Sequence, residues 1–213
     1  MKNGITEMVF ILDKSGSMSG LEADTIGGFN SMLARQRKAE GKALVTTIMF
    51  SNTSQVVHDR LPLESVRDLT DRDYIPGGCT ALLDAMGGAI THIEDVHRYI
   101  RPEDVPEHTV FVITTDGLEN ASRKFRETDV KRLVEKHREE GWEFLFLGAN
   151  MDAITTARRY GIGADRSATF VNDAAGSAIN YECVAQAVSE VRKGKKLSGA
   201  WKRAIEEDFA NRG

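Results

Sequence analysis

Apolar residues in this chain gather in short runs with little alternation: Met8–Leu12, Leu44–Phe50, Thr109–Thr114 and Trp142–Leu147. A strand with one face in water alternates apolar and polar residues, whereas a strand covered on both faces does not, so these runs predict a parallel sheet sandwiched between helices. Between them lie apolar positions at helical spacing: Ile26, Phe29 and Leu33; then Leu82, Leu83, Met86, Ile90 and Ile93; then Val130, Leu133 and Val134. Gln55–Leu63 breaks the rhythm. It follows its predecessor after only Ser51-Asn52-Thr53-Ser54 and contains Pro62, which predicts an antiparallel edge strand. Beyond Gly148 the pattern predicts a short helix near Ala153–Arg159, a last strand at Ala168–Val171, and a helix with Val184, Ala187, Val188 and Val191 on one face. Gly194–Gly199 is the best candidate for a flexible joint, before a short terminal helix around Trp201–Phe209.

Alternating strands and helices of this kind imply a doubly wound α/β fold. The expected architecture is a mostly parallel six-stranded sheet with one antiparallel edge strand, helices on both faces, and a helical C-terminal extension over residues 173–213 following a main unit of 1–172.

Length and composition narrow the classes. With 213 residues, 41% of them hydrophobic, the chain suits one full-sized α/β domain better than two. The 28 basic and 32 acidic residues leave a net charge of -4, without the broad positive field that nucleic-acid phosphates demand. Cys79 and Cys183 make neither a zinc-ligand spacing nor a disulfide framework, which fits a reducing compartment. Met8–Leu12 is too short for a secretory apolar region, and no stretch has the apolar length needed to cross a bilayer. A cytoplasmic protein without a membrane or nucleic-acid partner is expected.

Ligand sites of open α/β sheets form beyond the carboxyl ends of the strands. Three segments there carry oxygen ligands: Asp13-Lys14-Ser15-Gly16-Ser17 after the first run, Gly77-Gly78-Cys79-Thr80 before the Leu82 helix, and Thr115-Asp116-Gly117 after the Thr109 run. Taken singly, each has a plain structural reading, as a helix cap or a turn. Taken together, in this order, they offer two carboxylates and three hydroxyls, a set suited to a hard divalent cation such as magnesium or manganese. If the first and fourth strands are neighbours, Asp13 and Asp116 converge at the switch point of the sheet.

Asp13-x-Ser15-x-Ser17, Thr80 and Asp116 resemble the metal-ion-dependent adhesion site of the von Willebrand factor type A family at all five positions, and the similarity extends over roughly residues 6 to 172. The resemblance implies that Ser15, Ser17 and Thr80 bind Mg2+ (with Mn2+ or Ca2+ as alternatives) directly, that Asp13 and Asp116 act mostly through water, and that a partner protein's Asp or Glu fills the open position. It is closer to stand-alone intracellular bacterial members, such as those of tellurite-resistance and stress-response systems or those that assist chaperone-like ATPases, than to extracellular adhesins. Cys79, where that family commonly has a small residue, is expected to be packed, since free cysteine is usually buried.

Other readings stay open. An aspartate ending the first strand also begins phosphotransferases of the haloacid dehalogenase type, but those resemble Asp-x-Asp, and here Ser15 leaves no evident general acid. No phosphate-binding loop is present, and His92 and His97 are off the spacing that places two ligands on one helix face. A scaffold whose ion serves only stability is the remaining alternative. Binding, not catalysis, is the expectation.

Overall fold

A computed structural model describes residues 4–149 and 151–213, so Met1, Lys2 and Asn3, which open the expected main unit, lie outside the described residues. Six strands form one sheet: β1 (Ile5–Asp13), β2 (Lys42–Phe50), β3 (Ser54–Pro62), β4 (His108–Thr115), β5 (Glu143–Ala149) and β6 (Ser167–Phe170). Their order is β3-β2-β1-β4-β5-β6, and all neighbours run parallel except β3 on β2. The helices are α1 (Glu22–Arg37), α2 (Leu82–Tyr99), α3 (Glu127–Glu139), α4 (Ala153–Arg159), α5 (Ala174–Arg192) and α6 (Arg203–Arg212).

The apolar runs become central strands because both of their faces are covered. Met8, Phe10 and Leu12 of β1 join Val110 and Val112 of β4 and Leu145 and Leu147 of β5 under α1 and α5. Val9, Ile11, Phe111, Ile113, Phe144 and Phe146 point the other way, under α2, α3 and α4. Each such side chain contributes about 1.5–3 kcal/mol by leaving water. Phe29 of α1 meets Phe10 edge-on at 5.3 Å, fixing that helix over the centre of the sheet.

The C-terminal segment belongs to this core. Val184, Ala187, Val188 and Val191 of α5 are buried in the α1 layer, and Trp201 and Ile205 join them. The Gly194–Gly199 stretch is anchored: Leu197 is buried and its carbonyl accepts from Arg166 at 2.8 Å. The basic composition around it conceals one inserted leucine.

Departures from regularity fall on β3. Its pairing with β2 shifts between Val45 and Ile48, and Arg60 adopts a positive φ of 48°. That bend brings the Arg60 guanidinium to the wholly buried Glu7 at 2.9 Å. Between β3 and α2 runs a long loop tied down by Arg67 on Asp73 at 2.6 Å and by Asn30, which bonds Leu69 from both amide atoms. Arg67 holds the Asp73 carboxyl well below the usual carboxylate range. Among the described residues, no helix is long and apolar enough to cross a membrane.

Candidate metal centre

From β1 the chain passes through α1 to β2 on one side, while from β4 it passes through α3 to β5 on the other. The sheet therefore reverses its winding between β1 and β4, and their carboxyl ends frame a crevice. Leu12 lies opposite Thr114 in the register, so Asp13 and Thr115 leave the sheet side by side.

Asp13 is buried, and its two oxygens are engaged separately. Oδ1 accepts from the Ser15 main-chain N–H at 2.7 Å, and Oδ2 accepts from the Thr115 hydroxyl at 2.5 Å. The Ser15 and Ser17 hydroxyls share a hydrogen bond at 3.1 Å, and Ser17 donates to Asp116 Oδ1 at 2.5 Å. A Cβ placed on Gly117 would stand 3.1 Å from Thr80 Oγ1 and 3.6 Å from Ser17 Oγ, so glycine there keeps the two hydroxyls close to the Asp116 turn. All five residues named from the sequence are thus drawn to one place. Asp13, Ser15, Thr80 and Asp116 are buried, while Ser17 is exposed, so the cluster opens to solvent along one side.

The loops are bonded to one another through their main chains. Gly16 donates to the Gly78 carbonyl at 3.0 Å and Gly77 to that of Lys14 at 2.9 Å. Lys14 in turn donates to Phe50, Ala81 to Ser51 and Asn120 to Thr80. The Asn120 side chain closes that last pair by accepting from the Thr80 N–H at 2.9 Å. Gly78, at φ +83°, supplies the left-handed turn this crossing requires. Thr80 is not a helix cap: α2 begins two residues later, and the carboxylate of Glu119 accepts from the Leu83 N–H at 2.9 Å.

Burial pushes the Asp13 carboxyl above its ordinary value; hydrogen bonds from Thr115 and Ser15 oppose the shift and the nearby Asp116 charge adds to it. No lysine or arginine among the described residues is hydrogen-bonded or ion-paired to either aspartate; the nearest in sequence, Lys14, reaches away to Gln55 at 2.8 Å. Two adjacent carboxylates without a cationic partner, surrounded by hydroxyl oxygens, match the donor chemistry of a hard divalent cation. Elsewhere, no group of three or more His, Cys, Asp or Glu side chains among the described residues could hold a metal. His92 and His97 go instead to Asp59 at 2.8 Å and Glu7 at 3.4 Å.

One expectation is corrected. Cys79 is exposed, not packed, because its N–H is held by Asn52 Oδ1 at 2.5 Å on the outer rim of the loop, just after the left-handed turn at Gly78. The sequence gives no sign of Asn172, whose amide donates to Asp116 Oδ2 at 3.4 Å, nor of the bonds made by Thr115, Glu119, Asn120 and Asn52.

No family model matches the chain, and no curated protein matches it. Solved structures do share its shape. The von Willebrand factor type A protein from Catenulispora acidiphila superposes with a TM-score of 0.57 at 15% identity, over 88% of this chain and 43% of that one. The fold is that of a von Willebrand factor type A domain. Proximal thread matrix protein 1 from the mussel byssus, in a structure described as having a zinc-occupied MIDAS motif, shares the shape with a TM-score of 0.59 at 14% identity, over 88% of this chain and 46% of that one. The vWF domain of the type V pili tip protein Mfa5 from Porphyromonas gingivalis gives 0.62 at 10% identity, over 90% of this chain and 96% of that one. The chain spans less than half the length of the Catenulispora and mussel proteins.

Proposed function

We propose that this chain is a metal-ion-dependent protein-binding module, in which Ser15, Ser17 and Thr80 hold a divalent cation directly and Asp13 and Asp116 support it. Bound there, Mg2+, or Mn2+ or Ca2+ in its place, would supply an open Lewis-acid position for an Asp or Glu carboxylate of a partner protein. The observation that carries the reading is the pair of uncompensated carboxylates, Asp13 and Asp116, joined through Ser15 and Ser17. Asp13 orients the Ser15 loop, Thr115 fixes Asp13, and Asp116 orients Ser17. Hydroxyl ligands leave a cation with more residual charge than direct carboxylates would, which favours an incoming acidic side chain.

Recognition, not turnover, is the proposed activity, since Ser15 occupies the position where a second acid would serve as proton donor. The exposed thiol of Cys79 suits a reducing compartment, in keeping with a cytoplasmic bacterial module of the stress-response type.

Calorimetric titration of Mg2+ and Mn2+ into the wild type, Asp13→Ala and Asp116→Ala tests the site. Capture of Glu-bearing against Gln-bearing peptide libraries, with and without EDTA, tests the partner. Metal binding lost in both variants, with metal-dependent preference for Glu, is the expected result. Metal binding without carboxylate preference would reduce the ion to a structural brace, and metal-dependent phosphate release from p-nitrophenyl phosphate would replace recognition with catalysis.

A further inference from the structure

β6 lies two strands away from β4, yet the turn that follows it reaches the cluster. Asn172 Nδ2 donates to Asp116 Oδ2 at 3.4 Å, while Ser17 occupies Oδ1 of the same carboxylate, so loops from opposite sides of the sheet fix both oxygens. The turn itself is closely held. Asp173 donates its N–H to the Val171 carbonyl at 2.9 Å and caps α5 by accepting from the Gly176 N–H at 2.7 Å. A Cβ on Gly176 would fall 2.0 Å from the Val171 carbonyl oxygen, so the turn and the helix start are pressed together. From the far end of the chain, Arg212 of α6 grips Asp173 with both terminal nitrogens, at 2.6 and 3.3 Å, and is itself braced by Asp208 at 2.6 Å.

We propose that Asn172 is a further positioning residue of the metal centre, aligning Asp116 through its amide, and that α6 sets the placement of Asn172 through the Arg212–Asp173 pair. This rests on the metal-binding reading above. Partners that orient a ligand are commonly worth about 10–100-fold in metal affinity, although they do not touch the ion. Arg212 acts one step further out, and its bidentate grip is not reproduced by lysine, so its effect is smaller and is lost in Arg212→Lys as in Arg212→Gln.

The test is calorimetric titration of Mg2+ and Mn2+ into the full chain, with thermal melts of the same samples with and without metal. Asn172→Ala is expected to weaken binding about 10–100-fold while its metal-free melt stays near that of the wild type. Arg212→Gln weakens it by a smaller factor. Asn172→Asp separates positioning from a merely structural role: a carboxylate facing Asp116 lowers the metal-free melting temperature but enlarges the rise on adding metal, whereas a structural defect lowers both melts together. Wild-type binding with Asn172→Ala within twofold of it overturns the inference and leaves the metal centre standing. A wild type that binds neither ion overturns both.

Discussion

The phenolic hydroxyl of Tyr74 donates to the main-chain carbonyl of Asp13. Tyr74 comes from the long loop between β3 and α2, is buried, and braces from below the residue on which the whole cluster turns. Burial pushes its phenol far above the ordinary range, so it stays a neutral donor at any working pH. Tyr74→Phe removes this bond without emptying the space. A loss of about 1–3 kcal/mol in urea unfolding is expected, with weaker Mg2+ binding in the same protein.

The raised Asp13 carboxyl makes stability depend on pH in a definite direction. A group whose folded value lies above its ordinary 3.8 contributes stability that is present below that value and lost as pH rises through the folded one. Without metal, melting temperature should therefore carry a component that declines on leaving acid pH, and the increment produced by Mg2+ should grow over the same window as the carboxylate ionises. Asp13→Asn can retain both hydrogen bonds, accepting from Ser15 and donating to Thr115, but cannot ionise. Melts of this variant from acid to neutral pH should show neither component; a persisting Mg2+ increment would count against the assignment.

Ligand linkage sets the scale for the metal itself. At free Mg2+ about 100-fold above its dissociation constant, the wild type should gain about 2.7 kcal/mol of unfolding free energy, and EDTA should remove it. Thr80→Ala should lose the gain while keeping its metal-free stability, because the main-chain pairing of Thr80 with Asn120 does not involve the hydroxyl.

The contact between α1 and α5 offers a control remote from this chemistry. A Cβ on Gly28 would lie 2.2 Å from Cδ2 of Tyr181, so Gly28→Ala forces the ring aside. A loss of about 1–3 kcal/mol is expected with metal affinity unchanged. Combining it with Tyr181→Ala should cost less than the sum of the two, since the methyl group enters the space the ring vacates; a double-mutant cycle reads this directly.

How much of this is legible in the sequence depends on the length scale of each interaction. The central strands are, because Met8–Leu12 and Thr109–Thr114 each carry the period-free apolar pattern that burial on both faces imposes. The convergence of Asp13 and Asp116 follows from strand order alone, which the alternation of strands and helices restricts to few choices. Asn172 is not legible: it lies 56 positions from Asp116 and sits in an ordinary turn. Thr115 is visible as part of the turn after the fourth run, but nothing local to it or to Tyr74 says that either hydroxyl will meet Asp13. Burial statistics for cysteine describe cores and do not carry over to Cys79, whose position is set by Gly78 and Asn52 on a rim.

That rim has a practical consequence. Cys183 is buried, and burial pushes its thiol up, away from the thiolate that reacts with maleimides. Cys79 is the other cysteine, exposed and adjacent in sequence to Thr80. A fluorophore or spin label would therefore attach at one defined place beside the cluster without any engineered mutation, turning the native chain into its own reporter of what arrives there.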